Sequence, residues 1–362
     1  MESDNGNGTS VHSSGLNIVK HIKTFSLVIY CAIILVGTVG NGLVIYVTGY
    51  KMKKTVNSVW FFNLALADFL FTAFLIFTAV SLYQDHHWPF GNFMCKLNSF
   101  VSVVNMFASV FFLTVISLDR CLSIWVVVWA QNKRTIFKAQ VMSAVIWLAA
   151  GICSAPSAFL RTVKEEGNNT YCIYNITDKQ KTSLYTFRFS LGFLVPFVVI
   201  LFSYVAIGIR ARRLQRTSKR RSRRIIFAII FAFFICWFPL HVLSFIELKR
   251  LDSLMRLVQI GGPLTVCLAF MNSCLNPILY VFMCDEFQKK LKQSIWLVLE
   301  NALAEDHLSY VGSSRSLSSW IPRKSVSTTP TGEDDAKTSM TLMEKKRTHT
   351  RSSGSTEESA SK

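Results

Sequence analysis

Long apolar blocks separated by short polar segments dominate the chain from residue 25 to residue 283. A block of about 18 or more apolar residues is long enough to cross a bilayer as an α-helix. Seven such blocks occur, and one membrane domain is the simplest organisation that accommodates them. They are Phe25–Val47, Val59–Leu82, Phe100–Val126, Val141–Leu160, Leu184–Ile209, Ile225–Phe245 and Leu257–Met283.

This pattern predicts an all-α membrane protein, with a seven-transmembrane helix bundle over residues 25–284. The preceding segment, 1–24, is polar and lacks the apolar region of a signal peptide. After the bundle, "DEFQKKLKQSIWLVLE" predicts a short amphipathic eighth helix over 285–300 at the membrane surface. Residues 301–362 are rich in Ser, Thr and charges, which predicts disorder. Multisite phosphorylation would suit this tail, although a low-complexity linker has the same composition.

Charges and glycosylation sequons predict the orientation of the spans. Lys and Arg concentrate in alternate connecting segments, most densely between residues 210 and 224, which places these segments in the cytoplasm and the N-terminus outside. Three Asn-X-Ser/Thr sequons, at Asn7, Asn168 and Asn175, all fall in segments predicted to be extracellular. The net charge of +18 therefore belongs mostly to cytoplasmic loops that face the membrane, and it does not indicate nucleic-acid binding.

The cysteine positions predict one disulfide bond. Of the nine cysteines, only Cys95 and Cys172 fall in the predicted outer regions, and the others lie within spans or at their inner ends. Because the outer compartment is oxidising, these two are predicted to bond and to tie the outer end of the third span to the second outer loop.

Asp68 is a carboxylic acid near the middle of the second span, where an ionised group costs about 2.5–3.5 kcal/mol unless it is partnered. The other spans offer amides and hydroxyls as partners. They are Asn41, Asn105, Ser109, Asn272, Ser273 and Asn276. Oxygen ligands of this kind suit a small hard cation, so Asp68, Asn105, Ser109, Asn272 and Ser273 form a candidate site for an allosteric Na⁺. A hydrogen-bonded packing network that binds no ion is an equally consistent interpretation.

Prolines inside the spans predict kinks. Pro239, in "FFICWFPLH", removes a backbone hydrogen bond from the sixth span, with Phe233 and Trp237 stacked on one face below it. The seventh span ends in a second such segment, "NPILY". A kink beside bulky aromatic residues can act as a hinge, or it can be a static bend. The candidate switch positions are Tyr204, Phe233, Trp237, Pro239, Asn276, Pro277 and Tyr280.

Arg188 lies about one turn into the fifth span from the outer side, which is too deep for an ordinary surface residue. We expect its guanidinium to point into a water-filled outer cavity, where its planar fork suits a carboxylate. Arg161 and Glu247, at the outer ends of the fourth and sixth spans, are predicted to share that cavity. The alternatives for Arg188 are an ion pair with Glu247 or snorkelling to the lipid headgroups.

Several motifs recur in a fixed order. They are "GNGLV" in the first span, "LALAD" in the second, Cys95 and "DRC" at the two ends of the third, Trp147 in the fourth, "CWFP" in the sixth and "NPILY" in the seventh. This set resembles the rhodopsin-like (class A) G-protein-coupled receptors. The segments "HHWPFGNFMCK" and "NSCLNPILYVFM" further resemble the chemoattractant group, in which chemerin-like, formyl-peptide and chemoattractant-type prostaglandin D receptors are all similar.

The resemblance implies a plasma-membrane receptor without enzymatic activity. Its ligand would be acidic, a chemerin-like peptide by preference or a prostaglandin-like lipid acid as the alternative. Ser102 stands near the position where formyl-peptide receptors carry an Asp, which argues against formylated peptides. The implied ligand-binding set is Arg188, Arg161, Glu247, His241, Tyr174 and Ser102.

The resemblance also implies partners on the cytoplasmic side. These are a heterotrimeric G protein of the inhibitory class, together with receptor kinases and arrestin acting on the tail. Asp119 would restrain Arg120 in the resting state, and Arg120 would contact the G protein after activation. Val127 stands where relatives usually carry Pro, which predicts that the third helix continues into the second inner loop.

Two other classes of membrane protein are disfavoured. A channel or transporter would often show inverted repeats or paired broken helices, and the sequence has neither. An intramembrane enzyme would need a His-Glu-X-X-His, a Gly-X-Ser-X-Gly or a second intramembrane acid, and none is present. Within the receptor class, a decoy or orphan receptor that signals weakly stays open.

Overall fold

The computed structural model describes residues 7–214, 220–250 and 252–283, together with 288, 289 and 293. Within these residues, seven helical segments are long and apolar enough to cross a membrane, which confirms the predicted bundle. The predicted tail over 301–362 lies outside the described residues, and so does nearly all of the predicted helix over 285–300.

Nine α-helices are described, and several spans extend beyond their apolar blocks. The helices are α1 (Asn7–Tyr46), α2 (Val56–Tyr83), α3 (Gly91–Trp125), α4 (Val127–Lys133), α5 (Ile136–Phe159), α6 (Asp178–Phe189), α7 (Val195–Leu214), α8 (Arg220–Lys249) and α9 (Met255–Met283). Two π-helical turns, Val47–Lys51 and Ser190–Leu194, prolong α1 and join α6 to α7. The fifth span therefore consists of α6, a π turn and α7, and a 3₁₀ turn at Asp252–Leu254 precedes α9.

Threonine side chains begin three of the helices. Thr55 and Ser58 form a reciprocal capping box at the start of α2, and Thr177 forms another with Gln180 at the start of α6. Thr135 accepts a hydrogen bond from the backbone N–H of Lys138 at the start of α5. Each cap satisfies a backbone donor that the first helical turn leaves unpaired, so these spans begin where the polar loops place a Thr.

The expectation that the third helix continues through Val127 is wrong. The helix α3 ends at Trp125, because Val126 adopts φ −119° and ψ 70°, outside the helical region. The short helix α4 then begins at Val127 and ends at Lys133. A β-branched residue permits a helix but does not enforce one, and here the chain changes direction without a proline.

The segment between α5 and α6 forms a β-hairpin that covers one end of the bundle. Strands β1 (Arg161–Glu166) and β2 (Asn169–Tyr174) pair antiparallel, and Gly167 takes a positive φ of 61° in the turn. The predicted disulfide between Cys95 and Cys172 is present and fixes β2 to the start of α3, with their Cα atoms 5.6 Å apart. We call this end of the bundle the hairpin end.

The bundle places apolar residues on its outer surface as well as in its core. Leu35, Leu148 and Phe202 are 67%, 65% and 70% exposed, as expected for side chains that face lipid. Inside, Phe107 and Phe233 are fully buried among the central helices. Buried polar side chains, among them Asn41, Asp68 and Asn276, lie in the interior beside these apolar residues, as expected for polar groups that avoid lipid.

Candidate functional site

A cavity of about 360 Å³ opens at the hairpin end, between the helices and beneath β1 and β2. Five of the six residues predicted to bind ligand line it. They are Arg188, Arg161, His241, Tyr174 and Ser102. The cavity is therefore assembled from elements far apart in the chain, and the hairpin supplies two of these five side chains.

Arg188 projects from α6 towards the cavity and is held by two neutral hydroxyls. Its Nη2 donates hydrogen bonds of 2.7 Å to the Oγ of Ser157 and of 2.7 Å to the hydroxyl of Tyr174. Its Nε is buried and has no hydrogen-bond partner among the described residues. The guanidinium is therefore oriented without being neutralised, and its remaining N–H groups can still donate hydrogen bonds to an anion.

Arg161 forms the second cationic group of the cavity. Its Nη1 donates a 2.8 Å hydrogen bond to the carbonyl of Cys172, and its guanidinium carbon lies 3.9 Å from the ring centroid of Tyr174. Burial raises the pKa of Tyr174, but the neighbouring Arg188 and Arg161 guanidinium groups outweigh it and bring the pKa below its ordinary value. The two arginines thus concentrate positive charge around one phenol.

Glu247 lies outside the cavity lining. Its carboxylate accepts a 2.7 Å hydrogen bond from Lys181, and this ion pair joins the end of α8 to the start of α6. The alternative in which Glu247 neutralises Arg188 is therefore not the arrangement found. No Asp or Glu is among the described residues that line the cavity, so its two guanidinium groups have no carboxylate counter-ion there.

The other predicted residues form the floor and one wall of the cavity. Trp237 lies at its base, above the fully buried Phe233, with ring centroids 5.9 Å apart. His241 lies one turn above Trp237, 94% buried and surrounded by aromatic rings. Ser102 uses its hydroxyl to bond the carbonyl of Asn98 at 2.8 Å. A ligand in the cavity would thus rest directly on the aromatic pair below Pro239.

Sequence reasoning missed several polar residues of the cavity. Ser157, which orients Arg188, sits next to Pro156 near the end of α5, where a hydroxyl in a span is too common to stand out. Asn98 and Thr78 bond each other at 3.0 Å across α3 and α2, and Tyr185 also lines the cavity. Asn98 precedes the apolar block Phe100–Val126, so the hydropathy pattern did not indicate it.

Asp68 lies at the centre of the bundle and is fully buried. Its two carboxylate oxygens accept hydrogen bonds from the Nδ2 atoms of Asn105, at 2.8 Å, and Asn276, at 2.7 Å. Ser273 donates to Asn105 at 3.4 Å, and its carbonyl accepts a 2.9 Å bond from Asn41. The structure therefore brings spans one, two, three and seven together around this carboxylate.

Two further residues predicted near Asp68 are buried but do not bond to it. Ser109 is 1% exposed, and its hydroxyl has no partner among the described residues. Asn272 is 3% exposed and precedes Ser273 in α9. The described residues hold no cluster of three or more His, Cys, Asp or Glu that could ligate a metal, so a cation here would depend on neutral oxygens around Asp68.

At the end of α3 opposite the hairpin, the predicted contact of Asp119 with Arg120 is not among the hydrogen bonds and ion pairs of the described residues, and the predicted restraint of Arg120 by Asp119 stays a prediction. Asp119 makes a two-point ion pair with Arg134, which lies between α4 and α5, at 2.7 and 2.8 Å. Arg120 instead donates to the amide oxygen of Asn57, which also accepts a 2.7 Å bond from Arg134. Asp119 pairs with Arg134 and not with its neighbour in sequence, because the planar fork of Arg134 can bond both carboxylate oxygens at once.

The remaining predicted positions have the following places. Tyr204 is half-buried in α7, and Pro239 and Pro277 lie within α8 and α9. Asn168 and Asn175 are exposed beside the hairpin, while the side chains of Asn7 and Tyr280 lie outside the described residues. The basic segment at the start of α8 also lies outside the described side chains.

Comparison with known proteins gives a family for these features. Residues 40–280 match the sequence profile described as "7 transmembrane receptor (rhodopsin family)". The C3a anaphylatoxin chemotactic receptor of Danio rerio is 42% identical over 79% of this chain and 80% of its own length. Chemerin-like receptor 1 of Homo sapiens is 40% identical over 80% and 83%. Formyl peptide receptor 2 of Mus musculus is 37% identical over 82% and 92%.

Proposed function

Because the chain belongs to the rhodopsin family of seven-transmembrane receptors, we propose that it is the receptor for an acidic chemoattractant ligand. It is a multi-pass plasma-membrane receptor rather than an enzyme. The ligand enters at the hairpin end, which faces the extracellular side together with the N-terminus. The opposite end, with Arg120, faces the cytoplasm.

One observation carries this proposal: the described residues that line the cavity include two guanidinium groups and no carboxylate. A buried polar atom without a hydrogen-bond partner is costly, and the Nε of the half-buried Arg188 has no partner among the described residues. A ligand carboxylate supplies the negative counter-charge. It also accepts hydrogen bonds from the N–H groups of Arg188 that do not bond to Ser157 or Tyr174. Arg188 anchors the carboxylate, and Arg161, Tyr174, His241 and Ser102 complete the site.

A chemerin-like peptide is the favoured ligand. Relatives with similar identity are named for chemerin, the C3a anaphylatoxin and formyl peptides. A lipid acid of the prostaglandin type is the second candidate, because Met106, Val266 and Phe270 provide apolar walls beside the arginines. Both candidates place a carboxylate on Arg188.

Ligand binding acts on signalling only through its preference for the active state. The ligand contacts Trp237, which lies in the sixth span just below Pro239. Binding therefore favours a conformation in which the part of this span below Pro239 moves and the cytoplasmic end of the bundle opens. Arg120 then leaves Asn57 and contacts a heterotrimeric G protein of the inhibitory class. Receptor kinases and arrestin act on the Ser- and Thr-rich tail.

Asp68 forms an allosteric Na⁺ site in this proposal. Its carboxylate and the oxygens of Ser109, Asn105, Asn272 and Ser273 would supply hard ligands, and the buried hydroxyl of Ser109 has no partner among the described residues. The competing interpretation is the packing network that the hydrogen bonds of Asn105 and Asn276 already make.

The experiment that tests the function is a signalling panel. Cells expressing the chain are exposed to chemerin, C3a, formylated peptides and prostanoids, and inhibition of cAMP formation is measured with and without blockade of inhibitory G proteins. We expect one acidic ligand to act, with its potency reduced at least tenfold by Ser157→Ala, which removes one of the hydroxyls that orient Arg188. A response only to ligands without an acidic group would contradict the proposal.

A further inference from the structure

A second cavity, of about 340 Å³, lies on the outer surface of the bundle between the fifth and sixth spans. Its apolar members are four residues of α8 and one of α6. They are Phe238, Val242, Phe245, Ile246 and Phe189. Phe238 is 54% exposed and Val242 is 39% exposed, so this groove opens towards the membrane and not into the bundle.

Only one layer of side chains separates the groove from the central cavity. His241 and Phe245 line both of them. Phe189 packs against this layer, with its ring centroid 5.6 Å from that of His241 and 5.2 Å from that of Phe245. A molecule in the groove therefore touches the wall of the central cavity from its outer face.

The groove has one charged residue, Lys249, at its hairpin end. The acids nearby are engaged, because Arg250 binds both oxygens of Asp178 at 3.0 and 3.1 Å and Lys181 binds Glu247 at 2.7 Å. Lys249 is exposed and has no acidic partner among the residues that the structure describes. The groove thus combines apolar walls with a single uncompensated ammonium group.

We propose that the groove binds a free fatty acid, with its carboxylate on Lys249 and its acyl chain along α8 towards Phe238. From Lys249 to Phe238 the helix rises about 16 Å, which suits a long acyl chain. Bulk lipid tails are as apolar as the walls, so apolar contact alone confers no preference, and the selectivity comes from Lys249. Because the groove offers one ammonium group and a volume of about 340 Å³, it favours a lipid with one negative charge and one acyl chain over a lipid with two acyl chains.

Photolabelling of the full-length chain in phosphatidylcholine nanodiscs tests this site, with a diazirine derivative of palmitic acid as the probe. We expect label on the α8 segment that carries Phe238, Val242 and Lys249, displaced by palmitic acid and at least fivefold less well by its methyl ester. One interfacial charge contributes about 1 kcal/mol, so Lys249→Gln lowers the apparent affinity about fivefold and Lys249→Arg preserves it.

A steric variant and a matched control separate the groove from general lipid contact. Val242→Trp fills the groove and removes the label, whereas Leu148→Trp, at a lipid-facing position of α5 that is 65% exposed, leaves it unchanged. Thermal melting of each variant shows that it is folded. Equal displacement by the methyl ester, displacement by a two-chain anionic lipid, or label that survives Val242→Trp in a folded protein would overturn the proposal. The assay needs no ligand in the central cavity, so its outcome is independent of the proposed function.

Discussion

Asn57 accepts hydrogen bonds from two guanidinium groups, those of Arg120 and Arg134. Arg134 is itself fixed by both oxygens of Asp119. A neutral amide at the start of α2 therefore holds Arg120, while Asp119, the acid next to Arg120 in the chain, holds Arg134 between α4 and α5. We therefore predict that Asn57 restrains Arg120 in the resting receptor.

This arrangement predicts opposite effects for two substitutions at one position. Asn57→Ala removes the acceptor of Arg120 and raises basal G-protein activation about tenfold, since a hydrogen bond to a charged group contributes about 1.5–3 kcal/mol. Asn57→Asp replaces the amide by a carboxylate, strengthens the hold on both arginines and lowers basal activation. Nucleotide exchange on a purified G protein without ligand measures both. Equal basal activity in the two variants would contradict the role of Asn57.

A substitution at Asp68 decides between a Na⁺ site and a packing network. Asp68→Asn keeps the shape of the side chain but removes the charge that a cation requires. If Asp68 binds Na⁺, replacing Na⁺ by a large organic cation raises the agonist affinity of the unmodified receptor and leaves the agonist affinity of Asp68→Asn unchanged. Radioligand competition in the two salts measures this. Affinity that is the same in both salts for the unmodified receptor would favour the packing network.

The hydrogen-bond and ion-pair partners of the site residues were the hardest part of the site to predict from the sequence. The depth of Arg188 in its span was enough to predict a side chain turned to an outer cavity. Its partners Ser157 and Tyr174 come from α5 and the hairpin, and nothing in a linear pattern indicates which of many hydroxyls will meet it. Asp119 shows the same limit, because the choice between Arg120 and Arg134 depends on the path of the chain from α3 through α4.

At the scale of elements, the hairpin positions one of the two arginines of the cavity and the tyrosine between them. Arg161 and Tyr174 face each other across the β1–β2 register, and the disulfide of Cys172 anchors β2 on α3. Hydropathy alone predicted the seven spans, because their length is set by the bilayer and every backbone polar group must be bonded within a helix. The hairpin, the π turns and the break at Val126 escaped prediction, since short polar or mixed segments carry no comparable constraint.

Loss of the disulfide should therefore affect binding more than membrane insertion. Cys172→Ser releases β2 and, with it, the carbonyl that fixes Arg161 and the phenol that orients Arg188. We expect at least a tenfold loss of ligand affinity and a lower melting temperature of the detergent-solubilised receptor. Cys153→Ser, at a half-buried free cysteine of α5, is the matched control and should change neither. Unaltered affinity in Cys172→Ser would show that the hairpin does not position the site.

At the scale of the whole molecule, three polar centres lie along one bundle: the arginine cavity, Asp68 and the Asn57–Arg120 contact. Aromatic side chains around Trp237 and Phe233 lie beneath the first of these, and Pro239 lies just above them in α8. In the proposed function the ligand carboxylate pairs with Arg188. The proposed movement of the sixth span and the release of Arg120 depend on that ion pair.

The most direct measurement is a double-mutant cycle between Arg188 and the ligand carboxylate. The affinity of the most potent acid in the signalling panel is compared with that of its uncharged amide or ester, on the unmodified receptor, on Arg188→Ala and on Lys181→Ala as a cationic control outside the cavity lining. We predict that neutralising the ligand costs about 10- to 100-fold on the unmodified receptor and on Lys181→Ala, and little on Arg188→Ala. An equal loss on all three receptors would contradict the account.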